Sequence, residues 1–265
     1  MRTDRRDRPG KRSEPKHRRE RERSAQSGDE WLYGRNAVNE SLRAGRRRFR
    51  RVLILQSAGG DTRLESIERR ARQLGVPVER VDREAIEHVV FDVNHQGVAT
   101  LATPYPYTSA DTLEEINGSI LALDHLQDPQ NVGTLMRAAE AFGVKTILIP
   151  KDRAAGITPA AVNASAGAVE HLSIVQTVNL AQELERLKKR GIWIVGIENR
   201  EHAQRLGQIQ IPSPWVLIVG SEGQGIGPNL AKRCDLLLRI EMQGAVNSLN
   251  AATAGSIALF AMTQP

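Results

Sequence analysis

The amino-acid sequence predicts an α/β protein of two domains, the second built on a mostly parallel sheet. Apolar strands such as SILALDHL (119–126) and VKTILIP (144–150) alternate with helical segments through the C-terminal part. A shorter alternation fills residues 29–103, and the stretch PYPYTSADTLEEING (104–118), with two prolines, separates the two patterns as a linker. Such alternation favours parallel strands covered by helices on both faces.

The first domain is predicted from short helices and strands in turn. WLYGRNAVNESLRAG indicates a short helix that ends at Gly45. DTRLESIERRARQLG (61–75) predicts a helix with Asp61 as N-cap and Gly75 as its stop. REAIEHVV is a further short helix, and the predicted strands are RVLILQ (51–56), VPVERVD and QGVATLAT (96–103).

The second domain continues the same alternation. Val132, Leu135, Met136, Ala139 and Phe142 are spaced as the core stripe of a helix over 131–142. We expect further helices in TPAAVNASAGAVEHL, LAQELERLKKRG (180–191) and VNSLNAATAGSIALFAM (246–262), the last capped by Asn247 or Ser248. The remaining strands are SIVQTV, IWIVGIE (192–198), PWVLIVGSEGQGIG (214–227), which runs into a glycine-rich loop, and CDLLLRIEM (234–242).

Charge is concentrated at the N-terminus. The net charge is +6. Residues 1–28 supply all of that excess, because basic and acidic side chains are equal in number in the rest of the chain. The segment has almost no apolar residues, so we expect a disordered basic tail that is either a plain solvated extension or an aid to nucleic-acid binding. A second basic cluster precedes a predicted strand, namely Arg46, Arg47, Arg48, Arg50 and Arg51.

Several function classes find no support in the sequence. No apolar run is long enough to span a bilayer, and the single Cys234 excludes an internal disulfide, so a reducing cytoplasm is expected. The six histidines lack metal-ligand spacing, which predicts no metal site, and no Gly-x-Ser-x-Gly elbow is present. Cys234 is interpreted as a small buried hydrophobe and His95 as a structural residue, although His95 could also face RNA.

Arg137 is the residue whose position raises a question. It lies in DPQNVGTLMRAAEAFG (128–143), a helical stretch of otherwise small and apolar residues, with Gly133 one turn before it. It could be a surface charge paired with Glu140. Alternatively, Gly133 leaves open space above it, and Arg137 with Asn131 faces a cleft where strands end and a phosphate or ribose could bind.

Two further stretches are candidates for chemistry. VGSEGQGIGPNL (219–230) follows a strand, but it matches neither a dinucleotide fingerprint nor a phosphate loop, and Glu222 lies at the end of that strand. NSLNAATAG (247–255) holds Ser248 and Asn250, one of which could cap the helix while the other faces a ligand.

Taken in order, these motifs closely resemble those of the SpoU, or TrmH-like, RNA 2′-O-methyltransferases of the SPOUT superfamily. The stretches are LDHLQDPQNVGTLMRAAEAFG, IVGSEGQGI and IEMQGAVNSLNAATA. The first domain, from YGRNAVNESLRAG to HQGVATLA, resembles the substrate-binding domain of the branch that methylates guanosine in 23S rRNA. The basic tail departs from the family pattern, as does Ala252, where a serine is common.

The resemblance implies a fold and a cofactor. The fold would be a C-terminal α/β methyltransferase domain (119–265) with a deep trefoil knot, preceded by a smaller α/β RNA-binding domain (29–103). An obligate homodimer would bind S-adenosyl-L-methionine in the knot. The cofactor-binding residues would be Gly196, Ile197, Glu198, Gly220, Ile240 and Leu249.

The reaction implied is methylation of a ribose 2′-hydroxyl, most closely that of a guanosine in 23S rRNA. By resemblance, the catalytic residues would be Arg137, Asn131, Glu222, Ser248 and Asn250. Because the pKa of arginine exceeds about 12, we interpret Arg137 as a group that orients phosphate and stabilises the developing alkoxide rather than as a base.

Three alternatives remain open at this point. The chain could methylate tRNA or another rRNA site. It could be a non-catalytic RNA-binding protein of the same fold, against which the intact set of polar residues argues. It could also be a nicotinamide-dependent α/β enzyme, against which the missing Gly-x-Gly-x-x-Gly pattern argues.

Overall fold

The computed structural model describes residues 28–57, 60–152, 154–245 and 248–264. The predicted basic tail (1–28) lies outside these ranges apart from Gly28, as does Asn247. None of the helices within these ranges is long and apolar enough to cross a membrane.

The first sheet has four strands in the order β1-β4-β2-β3. Strand β4 runs antiparallel to both β1 and β2, whereas β2 and β3 are parallel. The strands are β1 (Glu30–Tyr33), β2 (Phe49–Leu55), β3 (Val78–Val81) and β4 (Val98–Ala102). The helices are α1 (Arg35–Ala44), α2 (Thr62–Gln73) and α3 (Arg83–Val89).

Local signals place these helices as predicted. The Asp61 side chain accepts hydrogen bonds from the N–H groups of Arg63 and Leu64, and Gly45 ends α1 in the left-handed conformation. Strand β1, however, was not predicted. It has only four residues, and its antiparallel pairing with β4, about 70 residues later in the chain, stabilises it.

The second sheet has seven strands, all parallel, in the order β7-β6-β5-β10-β8-β11-β9. All five residues of the central strand, β10, are buried, as expected for a strand with helices on both faces. The strands are β5 (Ile120–Leu123), β6 (Thr146–Pro150), β7 (Ser173–Thr177), β8 (Trp193–Ile197), β9 (Gln204–Arg205), β10 (Trp215–Val219) and β11 (Leu236–Arg239).

Helices and short 3-10 turns cover this sheet. The helices are α4 (Pro129–Ala141), α5 (Pro159–Ala164), α6 (Leu180–Lys189), α7 (Pro228–Ala231) and α8 (Ala251–Thr263). The 3-10 helices are Ala110–Glu115, inside the predicted linker, and Ala168–His171. Helices α4 and α8 pack on one face with Leu121, Leu135 and Val219 in a shared core, whereas α6 covers the other face.

The last helix begins later than predicted. Its N-cap is Asn250, whose Oδ1 accepts hydrogen bonds from the N–H groups of Ala252 (2.9 Å) and Thr253 (3.1 Å). The expected cap at Ser248 was therefore wrong, and Asn250, the other residue considered for that role, is the cap. Ser248 lies in the loop before α8, which frees that loop to line a cavity.

Arg47 joins the two sheets. Its side chain is fully buried; Nε donates a hydrogen bond to Oε1 of Glu170 (2.8 Å), which is also fully buried, and the guanidinium pairs with Glu30 in β1. Burial raises the pKa of Glu30, although the Arg47 guanidinium acts in the opposite direction. Arg47, one member of the second basic cluster, therefore links the first domain to the second.

A second set of contacts surrounds this pair. Arg46 donates a hydrogen bond to the Tyr105 hydroxyl (3.0 Å), and burial raises the pKa of Tyr105 to about 12. Nε2 of His171 lies 2.8 Å from Oε2 of Glu40, and Nδ2 of Asn163 donates to the carbonyl of Tyr33 (3.0 Å). The first domain is thus held at a fixed position relative to α5 and the 3-10 helix after it.

Candidate functional site

Three loops meet at the carboxyl ends of the parallel strands. Asn131 comes from the start of α4, Glu222 from the loop after β10, and Asn250 from the N-cap of α8. Nδ2 of Asn250 donates a hydrogen bond to Oδ1 of Asn131 (2.9 Å), and it also donates to Oε1 of Glu222. Nδ2 of Asn131 donates to the same carboxylate oxygen of Glu222 (3.2 Å).

This network uses both ends of the Asn250 side chain. Its oxygen caps α8, while its nitrogen bridges Asn131 and Glu222. From the sequence, one residue was expected to cap the helix while another faced a ligand, but Asn250 both caps α8 and lines the cavity. Asn131 is 8% exposed, whereas Glu222 and Asn250 are exposed, so the network has a buried side at α4 and a side open to solvent.

A cavity of about 810 Å³ lies on one side of this network. Its volume falls within the range of small-molecule and cofactor sites. Most of the residues predicted to act in catalysis or cofactor binding line it, namely Ile197, Glu198, Gly220, Glu222, Ile240, Ser248, Leu249 and Asn250. Strands far apart in the sequence thus contribute to one enclosure, as expected at the carboxyl ends of a parallel sheet.

The loop after β10 can line the cavity because of its glycines. Gly225 has φ +66°, which L side chains rarely adopt, and a Cβ there would lie 2.6 Å from Oε1 of Glu198. The left-handed backbone at Gly225 therefore favours glycine, and the loop passes close to the Glu198 carboxylate. The sequence indicated a close backbone approach here without identifying Glu198 as its partner.

The sequence analysis missed Arg200 in the same wall. Its guanidinium pairs with the Glu198 carboxylate through two contacts, Nε to Oε2 (2.7 Å) and a second nitrogen to Oε1 (2.9 Å). The contact to Oε1 is a hydrogen bond, and the contact to Oε2 is an ion pair without hydrogen-bond geometry. The only local signal was a pair of opposite charges two residues apart after a strand, which is too common to stand out.

Asn131 also lines a second cavity, of about 590 Å³, next to the first. The two cavities share Ser221, Glu222, Gln224 and Gly225 of the loop after β10. The remaining wall comes from the turn between β5 and α4, which includes Asp124, His125 and Asp128. The hydrogen-bonded network therefore stands between two adjoining spaces.

Arg137 lines neither of these two cavities. It is exposed on α4, and no hydrogen bond or ion pair links it to another residue in the described ranges. Six helical residues rotate its direction by about 120° from that of Asn131 and move it about 9 Å along the axis. Glu140, the proposed surface partner, contacts Lys145 instead (2.7 Å).

Gly133 allows two helices to pack closely and does not open space for a ligand. A Cβ on Gly133 would lie 2.5 Å from Cβ of Ala164 and 2.8 Å from the carbonyl oxygen of Ala161, both in α5. The expectation of open space above Gly133 was therefore wrong, because α4 and α5 meet there.

Gly196 is a predicted cofactor residue that does not line the first cavity. A Cβ on Gly196 would meet Ile226 and Leu237, on the far side of β8 from the cavity lining.

Among the residues with described positions, no group of three His, Cys, Asp or Glu side chains could hold a metal ion. Burial raises the pKa of the Cys234 thiol to about 12.

Known proteins share this architecture and sequence. The model of the SpoU rRNA Methylase family matches residues 118–260, and that of RNA 2′-O ribose methyltransferase substrate binding matches residues 31–108. A putative TrmH family tRNA/rRNA methyltransferase of Bacillus subtilis, YacO, is 35% identical over 237 residues, covering 87% of this chain and 94% of that protein. The 23S rRNA (guanosine-2′-O-)-methyltransferase RlmB of Xylella fastidiosa is 34% identical over 238 residues, covering 88% and 95%.

Solved structures share the fold. The SpoU methyltransferase AviRb of Streptomyces viridochromogenes, crystallised with AdoMet, has a TM-score of 0.74 at 20% identity, covering 92% of each chain. A putative TrmH-family RNA methyltransferase of Porphyromonas gingivalis has a TM-score of 0.70 at 24% identity, covering 92% and 93%. With both family models and relatives that cover most of the chain in agreement, this protein belongs to the SpoU family of RNA methyltransferases.

Proposed function

We propose that this protein transfers a methyl group from S-adenosyl-L-methionine to the 2′-hydroxyl of a guanosine in 23S rRNA. The observation that carries the proposal is the network of Asn131, Glu222 and Asn250 between the two adjoining cavities. Similarity to an RlmB that acts on 23S rRNA supports the guanosine assignment. The reaction would take place in the cytoplasm, where ribosomal RNA is available.

The residues of the first cavity fit the proposed cofactor. Ile197, Ile240 and Leu249 supply apolar walls for an adenine or a methionine chain. The loop around Gly225 brings backbone groups close, and the Glu198 carboxylate is available beside them. When bound, S-adenosyl-L-methionine supplies an electrophilic methyl group on a positively charged sulfur.

In the proposed step the ribose oxygen bonds to the methyl carbon as the carbon–sulfur bond breaks and the hydroxyl proton is lost. Methyl transfer requires in-line alignment, and positioning alone can contribute about 7–11 kcal/mol. Asn131 is held by Asn250 and Glu222, so its remaining N–H keeps a fixed direction, while every donor and acceptor of the Asn250 side chain is used within the network and the cap. Proton loss to water or phosphate would be assisted by a guanidinium that stabilises the developing alkoxide.

We infer that Arg137 acts in a homodimer, in the cavity of the partner subunit. Its side chain is exposed and directed away from the cavities of its own chain. Next to α4, helix α8 exposes Phe260 (52%) and Ile257 (39%), and Phe260 forms an edge-to-face pair with Phe142. An apolar helix face beside an unused arginine suits a two-fold interface.

Mixing two inactive variants tests this arrangement. Arg137→Ala and Asn250→Asp should each abolish methylation while keeping the fold. If Arg137 serves the partner, a randomly mixed population restores one working site in each heterodimer, which is about a quarter of wild-type activity. If Arg137 serves its own chain, mixing restores nothing. Co-expression with two different affinity tags, followed by tandem purification, isolates the heterodimer for direct comparison.

The proposed substrate is tested by analysing RNA from cells. Mass spectrometry of nuclease-digested 23S rRNA, from cells with and without this protein, should show one ribose-methylated guanosine that depends on it. Methylation of tRNA, or of another rRNA site, would replace the guanosine assignment while keeping the reaction. Calorimetry with S-adenosyl-L-methionine and with a nicotinamide dinucleotide completes the test, since tight binding of the latter alone would reject the proposal.

We also propose that the C-terminal segment forms a deep trefoil knot. Chain order supports this, because β10 lies between β5 and β8 in the sheet, and α8 returns to pack on α4. Mechanical stretching between cysteines introduced at residues 119 and 263 tests it. A knotted chain extends less than its contour length, whereas an unknotted chain extends fully.

A further inference from the structure

We propose that the second cavity holds the base of the target nucleotide and that His125 is the surface on which this base stacks. This inference rests on the proposed ribose methylation. A ribose that reaches the Asn131–Glu222–Asn250 network needs space for its base on the side opposite the cofactor. The second cavity is lined by Asn131 and Glu222 of this network, shares Ser221, Glu222, Gln224 and Gly225 with the first, and has a volume of about 590 Å³.

The backbone at His125 is unusual. Its φ of 56° lies in the left-handed region, and it is one of four described residues other than glycine with positive φ. Such positions cost free energy and cluster at functional sites, where surrounding contacts maintain them. Glycine at this position would avoid this cost. The presence of histidine therefore indicates that its side chain has a role beyond forming the turn.

Contacts on the inner side fix the direction of the ring. Nδ1 of His125 bonds to the carboxylate of Asp124, which is only 1% exposed. The other oxygen of Asp124 accepts a hydrogen bond from the N–H of Gly227 (2.7 Å), which also lines the cavity. The imidazole is thus anchored at one edge, while its side chain remains 49% exposed at the cavity.

An anchored aromatic ring at the wall of a cavity is suited to stacking. Proteins that recognise unpaired RNA bases stack them on Phe, Tyr, Trp or His side chains. A ring that is already held loses little conformational freedom when the base arrives. The plain alternative is a surface pair between adjacent residues, Asp124 and His125, with no role in binding.

Two substitutions distinguish the contribution of the aromatic ring of His125 from that of its nitrogen atoms. His125→Gly removes the ring and suits the positive φ, but it leaves one oxygen of the buried Asp124 carboxylate without its partner. His125→Phe keeps a ring but, like glycine, cannot donate to Asp124, so that loss is common to both variants. Thermal denaturation of both variants measures the remaining difference in backbone preference, and the difference in activity between equally folded variants reports the ring. His202→Ala, at an exposed histidine that lines neither cavity, is the matched control.

The assay measures kcat and KM for methylation of a 23S rRNA transcript, with calorimetry of S-adenosyl-L-methionine binding. We expect His125→Gly to lower kcat/KM about 5- to 150-fold, the range for loss of one stacked base, with cofactor affinity unchanged. His125→Phe should stay within about threefold of wild type. Equal loss in both variants, or no loss in His125→Gly, overturns the proposal.

An affinity measurement completes the design. If the wild-type protein methylates no rRNA, the proposed function itself fails. The Kd for the transcript then decides this inference separately, because an unchanged Kd in His125→Gly also rejects the stacking role.

Discussion

Nδ2 of Asn250 lies 2.9 Å from Oδ1 of Asn131, although the two residues are 119 positions apart in the chain. The same Asn250 side chain caps α8 through its oxygen. The start of the last helix and the start of α4 are therefore positioned by one amide group. A change at this position affects helix stability and site geometry through different atoms, which makes the two effects separable.

Asn250→Asp should separate them. Aspartate is as good an N-cap as asparagine, so the cap should be kept, and only the lost Nδ2 bonds and the repulsion by Glu222 should lower the free energy of unfolding, by about 1–3 kcal/mol. The substitution replaces the Nδ2 donor with an oxygen that faces the Glu222 carboxylate, and methylation should fall about 100-fold. Asn250→Ala is the comparison, since it should also lose about 1 kcal/mol of stability. Urea denaturation and a methylation assay measure both effects, and an active Asn250→Asp variant would reject a role for the network.

Arg47→Met should destabilise the protein by about 3–5 kcal/mol, because Glu170 would remain buried and charged without its partner. Urea denaturation measures this loss. Adding Glu170→Gln should recover part of it, since the unpaired charge is then absent. The neighbouring Arg48→Met, at an exposed arginine, should change stability by less than about 0.5 kcal/mol. Equal effects at positions 47 and 48 would show that the buried pair does not hold the domains together.

Stability should fall in mild acid because of His95. Burial lowers its pKa, with the Arg83 guanidinium as a second cause, and its Nδ1 accepts a hydrogen bond from the N–H of Gly97. The unfolded chain therefore takes up a proton below about pH 6.5, before the folded one does, and stability decreases as pH falls through this window. Urea denaturation at pH 5.5 and 7.5 measures the decrease. His95→Asn should reduce it, and an identical pH dependence in that variant would contradict this explanation.

Phe91→Ala should weaken RNA binding without affecting the fold. Phe91 is 76% exposed, in a loop where Asp92 and Gln96 have positive φ and where Arg35 bonds to Gln96 twice. A rigidly presented aromatic ring on the proposed RNA-binding domain suits a stacked base, so we expect Kd to rise about 5- to 100-fold. Filter binding of a 23S rRNA transcript measures it. Leu74→Ala, an exposed apolar residue in the same domain, is the control, and equal effects would count against stacking.

The sequence by itself determined the alternation of strands and helices and the helix boundaries that have local signals. Asp61 and Gly45 act through neighbours within a few residues, so their patterns could be read directly. The family motifs also indicated Asn131, Glu222 and Asn250 before any contact was known. Strand β1 has no such local signal, because its pairing with β4 is what holds it.

Only the tertiary structure decided how these residues meet. Arg47 looked like one member of a basic cluster, but the fold buries it between two carboxylates from different domains. Arg137 and Asn131 share a helix, yet its pitch directs them to different surroundings. His125 became a candidate because of a backbone angle and a neighbouring cavity. Such relationships depend on contacts between residues distant in the chain, and local sequence patterns carry no information about those distances.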